Sequence, residues 1–140
     1  MEMPVAATTF VDAQYVIAFV NGRDQLHSKA VELSSRFIGQ PLLTTNVVLI
    51  EIGNALARNH RSEALEVIEY FHRAANVEVV SLTPALFAQA IALYQAHNDK
   101  TWGMTDCISF VVMHEIGIRD ALTHDRDFTQ AGFNALLRDA

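Results

Sequence analysis

The sequence predicts an α/β protein of three layers, in which helices cover both faces of a central, mostly parallel sheet of four or five strands. Short runs of β-branched and aromatic residues alternate along the chain with longer segments whose apolar residues recur at helical spacing. Two neighbouring parallel strands need a crossover connection, which is usually a helix. The alternation therefore favours a parallel sheet that is buried on both sides.

The first half of the chain carries two of the strand patterns and four of the helix patterns. The second helix is expected to end before Gly39 and Pro41, and Thr45 or Asn46 caps the third. In order, the elements are a strand at Thr8–Val11, helices over Asp12–Val20 and Asp24–Ile38, a strand at Leu42–Thr44, a helix from Thr45 or Asn46 to Leu56, and a helix over Ser62–Ala74.

The second half alternates in the same way. Thr83 followed by Pro84 is typical of a helix start, since a capping residue precedes proline at the first helical position. Gly117 is expected to stop the next helix. In order, the elements are a strand at Val77–Val80, a helix over Thr83–His97, a loop at Asn98–Gly103, a helix over Thr105–Ile116, a strand at Asp120–Thr123, a loop at His124–Phe128 and an edge strand at Gly132–Leu137.

Length and composition indicate a single soluble domain spanning residues 1–140. Of the 140 residues 51% are hydrophobic and 19% charged, which is typical of globular proteins. No apolar run approaches the roughly 18 residues that a membrane span needs, and Met1–Ala7 has no basic residue of the kind that begins a secretion signal. The single cysteine, Cys107, cannot form an internal disulfide. A cytoplasmic location is expected.

The formal charge of −6 argues against a nucleic-acid-binding protein, because contacts to phosphates need lysine and arginine. A cluster of carboxylates would weaken that argument, since bound divalent ions offset part of the negative charge. Arginine outnumbers lysine eight to two, and its planar guanidinium suits phosphate. Composition alone leaves nucleic-acid binding open.

Four acidic residues fall at positions that a parallel sheet brings together. Asp12 follows the first strand, Asp125 follows the strand at Asp120–Thr123, and Asp106 lies in the first turn of its helix. Ligands of such sheets collect beyond the carboxyl ends of the strands, so one crevice is expected to hold these acids. Each aspartate taken alone also fits a helix cap or a turn.

Glu51 is the fourth acid and has no such simple alternative. It lies between Ile50 and Ile52 in an apolar helix that is expected to be mostly buried. A buried glutamate is costly unless it is paired or binds a metal. Glu51 is therefore expected to point into the same crevice.

The chemistry of four carboxylates fits a divalent-metal nuclease. Carboxylates hold Mg²⁺ or Mn²⁺ and leave coordination positions for water and a substrate phosphate. The metal lowers the pKa of its water, and a carboxylate can accept the proton. Such a site needs no nucleophilic serine, cysteine or histidine.

At these acids the sequence resembles the PIN domain, and within it the VapC-type ribonuclease toxins of toxin–antitoxin pairs. The resemblance covers nearly the whole chain, with four short motifs in the family's order and spacing. The matching segments are Phe10-Val-Asp12-Ala-Gln-Tyr-Val-Ile-Ala-Phe, Thr44-Thr-Asn-Val-Val-Leu-Ile-Glu51-Ile-Gly-Asn-Ala-Leu, Met104-Thr-Asp106-Cys-Ile-Ser-Phe and Ala121-Leu-Thr-His-Asp125-Arg-Asp-Phe128-Thr-Gln-Ala-Gly-Phe133.

The resemblance implies a small α/β fold that hydrolyses RNA with Mg²⁺ or Mn²⁺. It matches Asp12, Glu51 and Asp106 to the three main acidic ligands and Asp125 to a more variable fourth. Asp127 is a second candidate for that fourth position, either sharing or replacing the role of Asp125. Thr105 matches a small hydroxyl residue that precedes the third acid.

The resemblance also implies two protein partners. One is a second copy of the chain in a homodimer. The other is a cognate antitoxin whose C-terminal segment lies over the active-site groove. Neither partner follows from composition or periodicity.

A few further residues are candidates for contacts with RNA. Arg126 neighbours Asp125 and is the strongest candidate for binding phosphate. The other basic candidates could equally well be ordinary surface charges; they are Arg58, Arg61 and Lys100. Trp102 fits three roles equally well: stacking on an RNA base, covering a dimer interface or capping the core.

Two other functions compete with a nuclease. An aspartate-based phosphotransferase of the haloacid-dehalogenase type needs a second aspartate two residues after Asp12, where this chain has Gln14. It also needs a catalytic lysine, and neither Lys29 nor Lys100 follows a predicted strand. The other alternative is a PIN-like binding module without catalytic activity, against which the presence of all four acids argues.

Overall fold

The strands form one parallel sheet with the order β3-β2-β1-β4-β5 in a computed structural model that describes residues 7–139. The predicted fold class and the upper strand count are therefore confirmed. The strands are β1 Thr9–Val11, β2 Leu42–Thr45, β3 Val77–Val80, β4 Asp120–Leu122 and β5 Asn134–Ala135.

The helices connect successive strands. The side chains of Thr45 and Thr83 accept the backbone N–H groups of Val48 and Leu86 and cap two of the helices, as predicted. The helices are α1 Ala13–Val20, α2 His27–Ser34, α3 Asn46–Ala55, α4 Arg61–Arg73, α5 Pro84–Ala96, α6 Met104–Ile116, α7 Arg126–Gln130 and α8 Leu136–Asp139, with a 3₁₀ turn at Ser35–Phe37 after α2.

The centre of the sheet is the place where the direction of winding reverses. Phe10 of β1 pairs with Leu43 of β2 on one side and with Ala121 of β4 on the other. The chain moves outward from β1 to β3 and then returns to β4, so helices leave β1 and β4 in opposite directions. A crevice opens beyond the carboxyl ends of such a strand pair.

An aromatic cluster fixes the segment after β4 against the sheet. Phe128 of α7 is fully buried, and its ring centroid lies 6.3 Å from that of Phe10 in β1 and 4.9 Å from that of Phe110 in α6. The contact with Phe110 is edge-to-face, which aromatic rings favour. Phe128 therefore anchors α7 at the carboxyl end of the sheet.

Several predicted boundaries move by one to four residues. The largest change is at α2, which begins at His27 and not at Asp24, because the Asp24 carboxylate accepts the N–H of Leu26 at 2.8 Å and forms a turn first. In addition α6 begins at Met104, one residue before Thr105, and β4 ends at Leu122.

Two predictions near the C-terminus were wrong. The expected loop at His124–Phe128 contains the start of α7, because Asp125 accepts the N–H of Asp127 at 2.9 Å and caps a helix. The expected strand at Gly132–Leu137 pairs only at Asn134–Ala135 and then turns into α8. Leu137 of α8 is fully buried, so burial of this apolar residue serves a helix and not a strand.

Within the described range no helix is both long and apolar enough to cross a membrane. The absence of a secretion signal was predicted from residues 1–7, of which residues 1–6 lie outside the part of the chain that the structure describes.

Replacing Phe128 by alanine tests the anchoring of α7. Removal of a fully buried phenylalanine leaves a cavity and is expected to lower the free energy of unfolding by about 3–5 kcal/mol. Urea denaturation measures the change. Phe87 on α5 is 46% exposed, and its replacement by alanine is the control, with an expected change below about 1 kcal/mol. Equal losses in the two variants would contradict the anchoring role.

Candidate metal centre

Three carboxylates converge beyond the carboxyl end of the sheet. Asp106, Asp125 and Asp127 each offer an oxygen, and these oxygens lie within 4.8 Å of one another. All three residues are half-buried. The group unites two of the four predicted acids with Asp127, the alternative fourth ligand. It has the size and the hard oxygen donors that a small divalent cation requires.

Asp12 lies beside this group at the end of β1. Its side chain is buried, and its Oδ2 accepts a hydrogen bond of 2.7 Å from the hydroxyl of Thr123, the residue after β4. The pKa of Asp12 is raised to about 7, mainly by burial and in smaller part by the nearby carboxylates of Glu51 and Asp125, against the opposing effect of the Thr123 bond. Asp12 is thus electrostatically part of the same site.

Asp106 has the same character at the start of α6. Its Oδ2 accepts the backbone N–H of Gly103 at 3.0 Å, which ties it to the helix N-terminus. Burial nevertheless raises the pKa of Asp106 to about 7, with a smaller contribution from the carboxylates of Asp125, Asp12 and Asp127. The Gly103 bond orients the carboxylate and offsets only part of the cost of burying its charge.

Glu51 is placed differently from the expectation. It was predicted to be mostly buried, but the residue is exposed and its neighbour Ile50 is 61% exposed. The buried face of α3 carries Val48, Leu49 and Ile52, so an isoleucine on each side of Glu51 did not indicate burial. Partial desolvation still raises the pKa of Glu51, and the carboxylates of Asp106 and Asp125 add to this effect. Glu51 therefore approaches the site from its solvent side.

Hydrogen bonds hold the remaining two acids. The Oδ1 of Asp125 accepts the N–H of Asp127, and the Oδ1 of Asp127 accepts the hydroxyl of Thr101 at 3.0 Å. The second bond ties α7 to the loop before α6. Asp125 and Asp127 are therefore both held in place, and either can face a cation together with Asp106.

Within the part of the chain that the structure describes, no lysine or arginine forms an ion pair with these five acids. The ion pairs found there are His60 with Glu63 and Lys100 with Asp99. Carboxylates gathered without a cation repel one another, and this repulsion contributes to the raised pKa values. A divalent ion would offset the repulsion. The donor set and its charge therefore fit a bound Mg²⁺ or Mn²⁺.

The candidates for RNA contacts belong to different segments of the chain. Arg126 is exposed at the first position of α7, next to Asp125, whereas Arg58 and Arg61 are exposed around the start of α4. Lys100 pairs with Asp99 at 3.4 Å. Thr105 is half-buried beside Asp106. Of these four basic residues, Arg126 is the one adjacent in sequence to an acid of the site.

Trp102 caps the core. The residue is only 8% exposed, and its ring centroid lies 4.7 Å from that of His97 and 5.1 Å from that of Phe110. Its indole N–H donates to the side chain of Gln130 at 3.3 Å. The structure therefore favours the core-capping role among the three considered, and stacking on RNA stays a prediction.

Two residues of the site escaped the sequence analysis. Thr123 is fully buried, donates to Asp12 and accepts the N–H of Asp125 at 3.1 Å. Gln14 accepts the N–H of His124 through its Oε1, and this oxygen also lies 3.2 Å from the hydroxyl of Thr123. A threonine at the end of a strand that neighbours β1 was the available signal, but only the strand order reveals its partner.

Comparison with known proteins shows that this chain is similar to a nuclease family. The family model described as PIN domain matches residues 9–134. A curated relative from Mycobacterium tuberculosis, named 23S rRNA-specific endonuclease VapC20, is 31% identical over 126 residues, which cover 89% of this chain and 94% of the relative. VapC20 from strain CDC 1551 and VapC20 from strain H37Rv match this chain with the same identity and coverage.

A solved structure is also similar. The crystal structure of Mycobacterium tuberculosis VapC20, described as a Sarcin-Ricin loop cleaving toxin, superposes with a TM-score of 0.78 at 30% identity. The superposition covers 89% of this chain and 95% of that protein. Sequence and structure therefore point to the same relative.

The raised pKa of Asp12 predicts how stability depends on pH. Between its ordinary value of 3.8 and about 7, the folded chain keeps a proton that the unfolded chain loses. The stability from this proton is present at low pH and is lost as the pH rises through the folded value. Asp12→Asn removes the charge and keeps an oxygen for the Thr123 bond, so in EDTA it should raise the Tm near pH 8 by roughly 5–10 °C.

Thermal unfolding followed by circular dichroism from about pH 5 to pH 8 measures this effect. The Tm difference between Asp12→Asn and wild type should grow as the pH rises. A difference that stays constant with pH would contradict the raised pKa of Asp12.

Proposed function

The chain belongs to the PIN domain family, and from this premise we propose that it is a metal-dependent endoribonuclease, the toxin of a toxin–antitoxin pair. The observation that carries the proposal is the convergence of Asp106, Asp125 and Asp127 next to buried Asp12. The residues between 7 and 139 supply no basic partner for these acids, so the site is suited to a cation. The relative VapC20 is named an endonuclease, which supports hydrolysis of RNA.

We assign the metal to Mg²⁺ or Mn²⁺, held by Asp12, Glu51, Asp106 and Asp125. These acids supply only oxygen donors, which suit hard divalent cations. Asp127 lies close enough to Asp106 and Asp125 to share the fourth position. When bound, the ion would lower the pKa of a water molecule and offset the charge on the attacked phosphate.

The chain itself supplies orientation and proton transfer. Thr123 fixes one oxygen of Asp12, and Gly103 fixes one oxygen of Asp106, so the free oxygens of these carboxylates have defined directions. A carboxylate of the cluster can accept the proton that water loses as it attacks the phosphate. Glu51 is exposed and feels the charges of Asp106 and Asp125, which places it on the solvent side, where substrate enters.

Ribosomal RNA is the substrate class that the comparisons favour. The curated relative is named for 23S rRNA, and the solved relative is described as cleaving the Sarcin-Ricin loop. We infer that this chain also cuts a folded RNA segment. Arg126 is exposed beside Asp125 and is suited to bind a phosphate of that segment, while Arg58 and Arg61 are weaker candidates.

The resemblance to VapC-type toxins supports two protein partners, a cognate antitoxin and a second copy of the chain. A nuclease directed at ribosomal RNA harms its own cell, so an inhibitor must hold it inactive. We place the protein in the cytoplasm, where ribosomes are found, and treat residues 1–140 as one nuclease domain.

Substitution of the buried acids tests the activity. Asp12→Asn and Asp106→Asn remove ligand charges while keeping side-chain size, and each should slow Mn²⁺-dependent cleavage by at least about 100-fold. Gel analysis of 23S rRNA in purified ribosomes, with Mn²⁺ or with EDTA, measures the rate. EDTA should abolish cleavage by the wild-type protein.

Asp120→Asn is the matched control. Asp120 lies at the amino end of β4, whereas the site acids lie beyond the carboxyl ends of the strands. Its carboxylate accepts the side-chain N–H of Asn134 at 2.8 Å. Its substitution should leave the rate within about twofold of wild type. Cleavage that persists in EDTA, or in the Asp12→Asn/Asp106→Asn double variant, would refute a metal nuclease built on these acids.

A further inference from the structure

Gln14 links the helix that follows Asp12 to the turn that carries Asp125. It is the second residue of α1, and its Oε1 accepts the backbone N–H of His124, 110 residues further along the chain. The same oxygen lies 3.2 Å from the hydroxyl of Thr123. One side chain therefore spans the crevice between the ends of β1 and β4.

The hydroxyl of Thr123 has one proton to donate, and two acceptors lie near it. The Oδ2 of Asp12 is at 2.7 Å and the Oε1 of Gln14 at 3.2 Å. Bonds to carboxylates are shorter and stronger than bonds to amides, so Asp12 takes the proton. The hydrogen bond that Gln14 retains is then the one donated by the backbone N–H of His124.

The turn from Thr123 to Asp125 is held from two sides. On one side, the N–H of Leu137 donates to the carbonyl of Thr123 at 3.0 Å, and Arg138 donates to the carbonyl of His124 at 3.2 Å. Both of these contacts come from α8. On the other side, Gln14 makes a contact from α1, the helix that Asp12 begins. The turn that carries Asp125 is therefore tied to the segment of Asp12 by Gln14 as well as by the hydroxyl of Thr123.

We propose that Gln14 is a positioning residue of the metal centre, holding the His124 peptide so that Asp125 faces the cation together with Asp12. This proposal rests on the proposed function, because it assumes that these acids bind a metal. Without the Gln14 oxygen the N–H of His124 loses its acceptor, and the turn can move away from β1. Partners that orient metal ligands commonly contribute about 10–100-fold to metal affinity.

Two variants separate the hydrogen bond from the size of the side chain. Gln14→Met keeps the length and removes the acceptor, whereas Gln14→Glu keeps an oxygen that can accept the His124 N–H. Gln89→Met is the matched control, because Gln89 of α5 donates to Glu115 of α6 at 2.9 Å and contacts none of the site acids. Circular dichroism checks that each variant is folded.

Calorimetry with Mn²⁺ alone and amide hydrogen exchange provide two readouts that do not depend on RNA cleavage. Gln14→Met should raise the Kd for Mn²⁺ about 10–100-fold and speed exchange at the His124 N–H. Gln14→Glu should keep the His124 amide protected and bind Mn²⁺ at least as tightly as wild type, since its added charge attracts the cation. Gln89→Met should match wild type in both measurements.

Wild-type Mn²⁺ affinity in Gln14→Met would overturn the positioning role, and so would an equal loss in Gln89→Met. A Gln14→Glu variant that loses affinity as Gln14→Met does would overturn it as well. If the wild-type chain binds no Mn²⁺, the proposed function itself fails, which is a separate and recognisable result.

Discussion

The burial of mutually repelling carboxylates beyond the ends of β1 and β4 is the constraint on which the rest of this structure depends. The pKa of both Asp12 and Asp106 is raised to about 7, mainly by burial and in smaller part by neighbouring carboxylates. In the described part of the chain no arginine or lysine pairs with them. Folding therefore holds together charged groups that repel one another and are poorly solvated. A bound divalent cation would offset this unfavourable free energy, because it attracts all of these carboxylates.

The fold meets this cost with packing and with neutral hydrogen bonds. The central position of β1 brings Asp12 beside Thr123, and the buried ring of Phe128 fixes α7 behind Asp125. The hydroxyls of Thr123 and Thr101 and the N–H of Gly103 contact the carboxylates without neutralising them. Because these partners carry no charge, they orient the acids and leave the negative potential available to a metal and its water.

The sequence predicted the architecture better than the contacts. Alternating strand and helix patterns were enough for the parallel sheet, because each pattern is local. The short C-terminal elements were not predictable in this way. Asp125 accepts the N–H of Asp127 and caps α7, but the sequence of this segment is equally compatible with a loop. The exposure of Glu51 depends on which face of α3 packs inward, and the isoleucines on its two sides do not share a face: Ile52 is buried and Ile50 is exposed. The bonds of Thr123 and Gln14 span more than 100 residues, so only the strand order brings them together.

The location of the metal is the most direct test of this account. Crystals grown with Mn²⁺ and measured at its absorption edge give an anomalous signal that identifies the ion and its ligands independently of activity. We predict a peak within about 2 Å of carboxylate oxygens from Asp106 and Asp125, with Asp12 facing the same ion directly or through water. A Mn²⁺ peak away from these three residues, or no peak at the end of β1 and β4, would contradict the assignment of the acidic cluster as a metal centre.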